Sequence, residues 1–143
     1  MQVPLTKEAI AALPMHDAEL ILLAVTRHAR EDVSLSVSAK LHNDEPMDEL
    51  FKLGIKTRSF RLRFENTRQL VSNILVVADG KETIDDWRIV GDSEWVSRLI
   101  AVGFGQSGEL THYRIGFASG SSVDVVAEGV SIEEVPSESS YPV

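Results

Sequence analysis

Cysteine is absent from this 143-residue sequence. Disulfide scaffolds, zinc–thiolate sites, iron–sulfur clusters and a cysteine nucleophile are therefore excluded. Proline and glycine are sparse, at 5 and 9 residues, while hydrophobic residues make up 43% of the chain, so global disorder is excluded too. We expect one globular domain over residues 1–135, followed by a polar tail over residues 136–143.

Long hydrophobic runs are also missing. The longest uninterrupted apolar run, Leu20 to Val25, is far shorter than the roughly 20 residues that a membrane-spanning helix needs. A secretory signal is not expected either, because Glu8 interrupts the first apolar stretch and Pro14 closes it. These absences favour a soluble, cytoplasmic protein with no membrane partner.

Basic residues are the scarcer charged type, 14 against 22 acidic residues, and the net charge is −8. The imbalance lies in residues 81–143, which contain 4 bases and 11 acids. Proteins that bind nucleic acid usually carry a basic surplus, since their affinity comes from displacing phosphate counterions. The charge therefore favours a basic partner and disfavours direct contact with nucleic acid.

Three short segments have helical patterns. Thr6 is a suitable N-cap for a first helix, which Pro14 ends. A second segment, residues 43–54, is expected to form one or two turns. A third helix is expected to begin after Asp92 or Ser93, because apolar residues recur there at helical spacing.

The clearest strand pattern runs from Val33 to Leu41, where apolar residues alternate with polar ones, mostly serines. One face of this strand is expected to pack on the core and the serine face to contact solvent. The run Leu20 to Val25 is too short to indicate a helix and is compatible with a strand buried on both faces. Further strands are predicted at residues 59–65, 70–77, 87–90, 113–117, 123–127 and 130–132.

The order of these elements predicts the fold class. Helices do not alternate with strands, which disfavours a parallel sheet. We predict an α+β fold that is mostly β. Its expected form is a single twisted antiparallel sheet or half-barrel of about seven or eight strands, packed with two or three short helices.

No spacing typical of a catalytic, cofactor or metal site is found in the sequence. Gly103-Phe-Gly105-Gln-Ser-Gly108 has the spacing of a dinucleotide-binding loop, but a helix is expected before it and a strand after it, the reverse of what that site requires. The four histidines are scattered without metal-ligand spacing. Ser93, Ser107 and Ser119 lack the motif of an activated nucleophile. We therefore expect no enzyme, no cofactor and no metal.

Several segments in order resemble a known group of proteins. They are His16-Asp17-Ala-Glu-Leu20, Phe64-Glu-Asn66, Arg68-Gln-Leu70, Tyr113-Arg-Ile-Gly-Phe117, Ser119-Gly120 and Val123-Asp-Val125. Over residues 14–134 this pattern resembles a divergent group of small β-rich bacterial immunity proteins, from polymorphic-toxin and contact-dependent growth inhibition systems. The resemblance implies a protein that binds and neutralises a cognate toxin domain, often a nuclease.

Charge complementarity suggests which residues would contact such a toxin. A nuclease attracts phosphates with a basic cleft, and an inhibitor that fills the cleft presents carboxylates. The candidates are acids of the negative half of the chain, together with two tryptophans that could act as aromatic anchors. They are Asp85, Asp86, Trp87, Asp92, Glu94, Trp95, Asp124, Glu128, Glu133 and Glu134.

Two other functions remain open at this point. The strand from Arg58 to Arg68, with Arg61 and Arg63 on one face, could bind nucleic acid. Alternatively, the half-barrel could enclose an apolar pocket and bind a small ligand. The residues expected to line that pocket are Phe60, Leu62, Phe64, Tyr113 and Phe117.

Overall fold

The computed structural model describes residues 2–29, 32–74, 82–104 and 110–135. These residues form nine strands and three helices. The strands are β1 (Val3–Pro4), β2 (Glu19–Arg27), β3 (Val33–Lys40), β4 (Ser59–Glu65), β5 (Gln69–Asn73), β6 (Ile84–Val90), β7 (Thr111–Phe117), β8 (Ser122–Ala127) and β9 (Gly129–Glu134). The helices are α1 (Lys7–Ala12), α2 (Asp48–Lys52) and α3 (Glu94–Ala101).

The strands form two antiparallel sheets. Sheet A has the order β1-β9-β4-β3-β2, and sheet B has the order β5-β8-β7-β6. The chain leaves sheet A after β4, where Asn66 adopts a positive φ of 50°, and returns through Glu128, between β8 and β9. The α+β, mostly β class is confirmed, but the prediction of a single sheet was wrong. Alternation identifies a strand without indicating which sheet it joins.

The hydrophobic core lies between the inner faces of the two sheets. The ring of Phe64 in sheet A lies 5.2 Å from that of Tyr113 and 6.3 Å from that of Trp87, both in sheet B, measured between centroids. Ile10 of α1 and Leu50 of α2 are buried in the same cluster. The two helices thus pack against the core that the sheets form.

The side chains expected to line a ligand pocket all belong to this core. Each of the five is at most 3% exposed, and all lie within one cluster of packed apolar residues. Close-packed interiors leave few voids larger than a water molecule. These side chains therefore fill space between the sheets.

The serine face of β3 was expected to contact solvent, but two of its three serines are buried and Ser36 is half-buried. Ser34 and Ser38 are 1% and 0% exposed, because arginines of the neighbouring strand β4 lie over them. Arg63 Nε donates to Ser34 Oγ and Arg61 Nε donates to Ser38 Oγ, each at 3.3 Å. Long arginine stems can cover a polar strand face in this way while the guanidinium stays at the surface.

The strand predicted over Leu20 to Val25 is confirmed as part of β2, but its burial on both faces is not. Strand β2 is the edge strand of sheet A, so it is not buried on both faces, and Leu22 and Val25 are 46% and 57% exposed. Its pairing with β3 shifts register between Leu20 and Leu22. An apolar run of six residues is compatible with a central or an edge strand, and composition does not distinguish the two.

The helix boundaries follow the predicted caps. Thr6 Oγ1 accepts the Ala9 N–H at 3.1 Å, and Ser93 Oγ accepts the Val96 N–H at 3.4 Å. Gly103, just beyond α3, has a positive φ of 97°, a conformation that glycine adopts at low cost. Three predicted segments lie outside the described residues: residues 75–77 of the strand predicted at 70–77, residues 105–108 of the glycine-rich segment, and the tail over residues 136–143.

Candidate functional site

The residues predicted to contact a toxin fall into two groups. The first group flanks β6, with Asp85, Asp86 and Trp87 near its start and Asp92, Glu94 and Trp95 beyond its end. The second group is Asp124, Glu128, Glu133 and Glu134, on and after β8. The two groups differ in whether their carboxylates are already bonded within the chain.

A shallow acidic groove lies at the start of β6. Its volume is about 350 Å³, and Asp85 and Asp86 line it together with Glu45 and His16. Asp85 is exposed, and no ion pair holds it among the described residues. Asp86 is half-buried and lies 3.3 Å from the Arg88 guanidinium. In the described structure, Asp86 is therefore the only carboxylate of this groove that lies beside an arginine.

Trp87 lines the same groove and is mostly an internal residue. Its indole Nε1 donates to the Ile10 carbonyl at 2.9 Å, and its ring packs against Phe64. Because the indole N–H and the ring are both held by contacts within the chain, Trp87 offers a partner only the edge of its ring. Trp87 is therefore a rigid wall of the groove, joining α1 to sheet B.

Beyond the end of β6, Asp92 and Glu94 are exposed at the start of α3. Asp92 has a positive φ of 50°, which turns the chain from the strand into the helix. Within the described part of the chain, no ion pair holds either carboxylate. Trp95 is half-buried, and its ring stacks on His112 at 4.6 Å with an interplanar angle of 8°.

Asp124 is buried, unlike the acids around β6. It is 9% exposed, and its two carboxylate oxygens are bonded to different residues. Oδ1 lies 2.8 Å from His112 Nε2, and Oδ2 accepts from Arg114 Nη1 at 2.8 Å. A carboxylate held in this way is not available to a protein partner.

The remaining acids of the second group also have internal partners. Glu128 lies 3.5 Å from Arg68, and Glu133 accepts from Arg61 at 3.0 Å. Glu134 is exposed and accepts the backbone N–H of Lys56. The structure therefore divides the predicted acids. Asp85, Asp92 and Glu94 are exposed without an ion pair in the described structure, whereas the four later acids are bonded within the chain.

The basic strand proposed for nucleic acid is similarly engaged. Arg61 and Arg68 contact the two glutamates just named, and Arg63 Nη2 lies 2.6 Å from His28 Nε2. Arg58 Nη1 donates to two backbone carbonyls, those of His42 and Glu45. All four guanidinium groups thus have intramolecular contacts.

The structure also contains a buried polar chain that the sequence analysis missed. Ser93 Oγ lies 2.7 Å from His112 Nδ1, and His112 Nε2 lies 2.8 Å from Asp124. The three residues come from the start of α3, β7 and β8. The pairing of β7 with β8 offered a signal, because that hairpin register makes His112 and Asp124 diagonal neighbours on the outer face of sheet B.

Tyr113 of β7 is a buried phenol with a shifted pKa. Burial raises the pKa of Tyr113 above its ordinary value, and a hydrogen bond with Thr111 offsets part of the increase.

No group of three or more potential metal ligands occurs among residues 2–29, 32–74, 82–104 and 110–135. In those same ranges, no helix is long and apolar enough to cross a membrane.

Comparisons with protein-family models, with curated proteins and with solved structures found no match for this chain. A functional assignment therefore has to come from the positions and contacts of its own residues. Two features stand out: the exposed acids around β6, and the buried Ser93–His112–Asp124 chain.

Proposed function

We propose that this chain is an immunity-type protein that binds and neutralises a basic toxin domain through the acids around β6. We call this region the β6 acidic surface and define it by Glu45, Asp85, Asp86, Asp92 and Glu94. The toxin class that fits is a nuclease, which needs positive charge to hold phosphates. Both proteins would meet in a bacterial cytoplasm.

One observation carries the proposal. Asp85, Asp92 and Glu94 are exposed and have no ion pair in the described structure, whereas Glu128 and Glu133 are bonded to arginines. These carboxylates therefore carry negative charge that no internal cation offsets in the described structure. In a chain of net charge −8, such a surface attracts a basic partner at long range and speeds its encounter.

The size of the surface is consistent with a protein partner. A stable interface covers about 800 Å² of each protein. The protein exposes 8391 Å² in total, so such an interface would use roughly a tenth of its surface. The β6 acidic surface has acids at both ends of β6. Trp87 lies beside the acids at one end, and tryptophan is a residue type enriched at binding hot spots.

The first experiment is a tagged pull-down from the source bacterium, combined with inspection of the neighbouring reading frames. We expect a basic toxin domain to co-purify, and to kill cells only when this protein is absent. If no neighbouring frame encodes a toxin and nothing basic is retained, the immunity function is rejected.

A charge-neutralised variant tests which surface is used. Asp85→Asn, Asp92→Asn and Glu94→Gln combined should slow association about tenfold or more at low salt and flatten its salt dependence. The matched control, Asp32→Asn with Asp48→Asn and Glu8→Gln, removes the same charge at three other exposed acids that have no ion pair in the described structure. Equal slowing in both variants would contradict the β6 acidic surface as the contact, leaving only a net-charge effect.

A further inference from the structure

We propose that Ser93, His112 and Asp124 form a serine acyl-transfer site that hydrolyses esters of short apolar acyl groups. This activity goes beyond the proposed inhibitor function and does not depend on it. The site uses residues that the β6 acidic surface does not include. It was not expected from the sequence, in which Ser93 lacks a nucleophile motif.

The geometry has the three roles that such chemistry needs. Ser93 Oγ lies 2.7 Å from His112 Nδ1, within reach for proton transfer. Asp124 accepts the hydrogen bond of His112 Nε2 at 2.8 Å, which assigns the imidazole proton to Nε2 and leaves Nδ1 as the base. The order of the two ring nitrogens is the reverse of that in chymotrypsin-like triads, but either nitrogen can accept a proton.

The imidazole is held rigidly in this position. Trp95 stacks on one face of His112, with the rings nearly parallel at 8°. Arg114 Nη1 donates to the second oxygen of Asp124 at 2.8 Å, which fixes the orientation of the carboxylate. A base held by packing on its face and by a bonded carboxylate loses little entropy when it acts.

The start of α3 supplies the electrophilic part of the site. Ser93 follows Asp92, whose positive φ makes a sharp turn from β6 into the helix. The first N–H groups of a helix have no acceptor within it, and they carry partial positive charge. The N–H groups of Glu94 and Trp95 are therefore available to stabilise an oxyanion formed next to Ser93.

An open groove of about 300 Å³ gives access to both reacting side chains. Ser93 and His112 line it together with an apolar side and a polar side. The apolar lining residues are Ile89, Val90, Val96, Ile100 and Leu110, and the polar ones are Lys7, Asp92, Ser97 and Thr111. The apolar side has room for a short hydrocarbon acyl chain, which is the substrate class that we assign to the site.

The reaction balances with water as the second substrate. Ser93 Oγ attacks the ester carbonyl while its proton passes to His112 Nδ1, and the alcohol leaves with that proton. Water then attacks the acyl-serine while His112 takes one of its protons, and His112 returns that proton to Ser93 Oγ as the carboxylic acid leaves. Nothing is oxidised or reduced in either step.

The test uses a fluorophosphonate probe, which labels activated serines covalently, and p-nitrophenyl butyrate as substrate. We expect a single adduct at Ser93, located by peptide mass mapping, and measurable release of p-nitrophenol. Ser93→Asn should abolish both, and asparagine retains the ability to cap α3. Thr6→Ala removes a matched N-cap from α1 and should leave labelling unchanged.

Asp124 is a positioning residue, so its variant is examined through the kinetics. Asp124→Asn should lower kcat by roughly a hundredfold or more, with KM nearly unchanged. Its melting temperature is recorded alongside. If this variant fails to fold, Ser93→Asn decides the question alone.

Three results would overturn the proposal. The first is no adduct at a probe concentration that fully labels a known serine hydrolase. The second is an adduct on another residue, and the third is a folded Ser93→Asn protein that hydrolyses the ester at the rate of the unaltered chain. Any of these would leave Ser93 as a helix cap within a structural hydrogen-bond chain.

Discussion

Arg61 of β4 lies directly opposite Glu133 of β9, and its guanidinium donates to that carboxylate at 3.0 Å. In the sequence, Glu133 was a candidate toxin contact, and Arg61 belonged to the alternative in which a basic strand binds nucleic acid. In the folded protein they are each other's partner, on the outer face of sheet A. Their pairing offsets the charge of one arginine of the strand that looked basic in the sequence.

This pair should contribute measurably to stability. Both side chains are partly shielded, at 34% and 22% exposed, so the coupling should exceed that of a fully exposed pair. A double-mutant cycle with Arg61→Met and Glu133→Gln should give about 0.5–1 kcal/mol of coupling in urea unfolding. A coupling that is zero at low salt would contradict the contact.

Phe64 should be among the most costly core residues to truncate. It is fully buried and contacts Tyr113 and Trp87 across the sheet interface, so Phe64→Ala leaves a large cavity. We expect a loss of about 3–5 kcal/mol in the free energy of unfolding. Phe64→Leu, with a smaller loss, provides a value if the alanine variant does not fold.

The matched control for this truncation is Phe51→Ala in α2. Phe51 is 55% exposed, so its truncation should cost less than about 1 kcal/mol. Similar losses at the two phenylalanines would mean that the interface between the sheets is not the main core.

Tyr113 should make stability fall at alkaline pH. Burial raises its pKa above the ordinary value of 10.0, so the unfolded chain releases this proton at lower pH than the folded protein does. Above about pH 10 the unfolded state binds fewer protons, and the free energy of unfolding falls by at most about 1.4 kcal/mol per pH unit. Denaturation curves from about pH 9 to 11 measure this slope, and Tyr113→Phe should reduce it. Equal slopes in both proteins would be inconsistent with a buried Tyr113 phenol.

Gly54 and Gly91 should respond in opposite directions to alanine. Gly54 has φ of +81°, where a Cβ is strained, whereas Gly91 has ordinary φ; a Cβ would meet open space at both. Gly54→Ala should cost about 1 kcal/mol, and Gly91→Ala should be neutral or stabilise by up to about 1 kcal/mol. Melting temperatures of the two variants decide this. A stabilising Gly54→Ala would indicate that the turn after α2 differs from the one described.

Local features of the fold were predictable because they depend on neighbouring residues. Thr6 and Ser93 cap their helices as expected, and the alternation at Phe60, Leu62 and Phe64 identified β4. The assignment of strands to two sheets was not predictable. It depends on short breaks such as Glu128, where a single residue between strands redirects the chain.

The candidate site was only partly predictable, for a related physical reason. Asp85, Asp92 and Glu94 are exposed without an ion pair in the described structure, although β6 and β7 carry Arg88 and Arg114. The later acids face cations that are distant in sequence, since Glu133 and Arg61 are brought together only by the pairing of β9 with β4. Such partners follow from sheet register, which one sequence does not specify.

The position of β9 has a consequence for biosynthesis. It is the last strand along the described chain, yet it lies between β1 and β4 in sheet A. On the ribosome, β4 therefore emerges long before the strand that completes its hydrogen bonds, by several seconds at roughly 5–20 residues per second. The nascent chain must keep an incomplete apolar sheet from associating with other chains over that interval. Sheet A is therefore completed only after all four strands of sheet B have been synthesised.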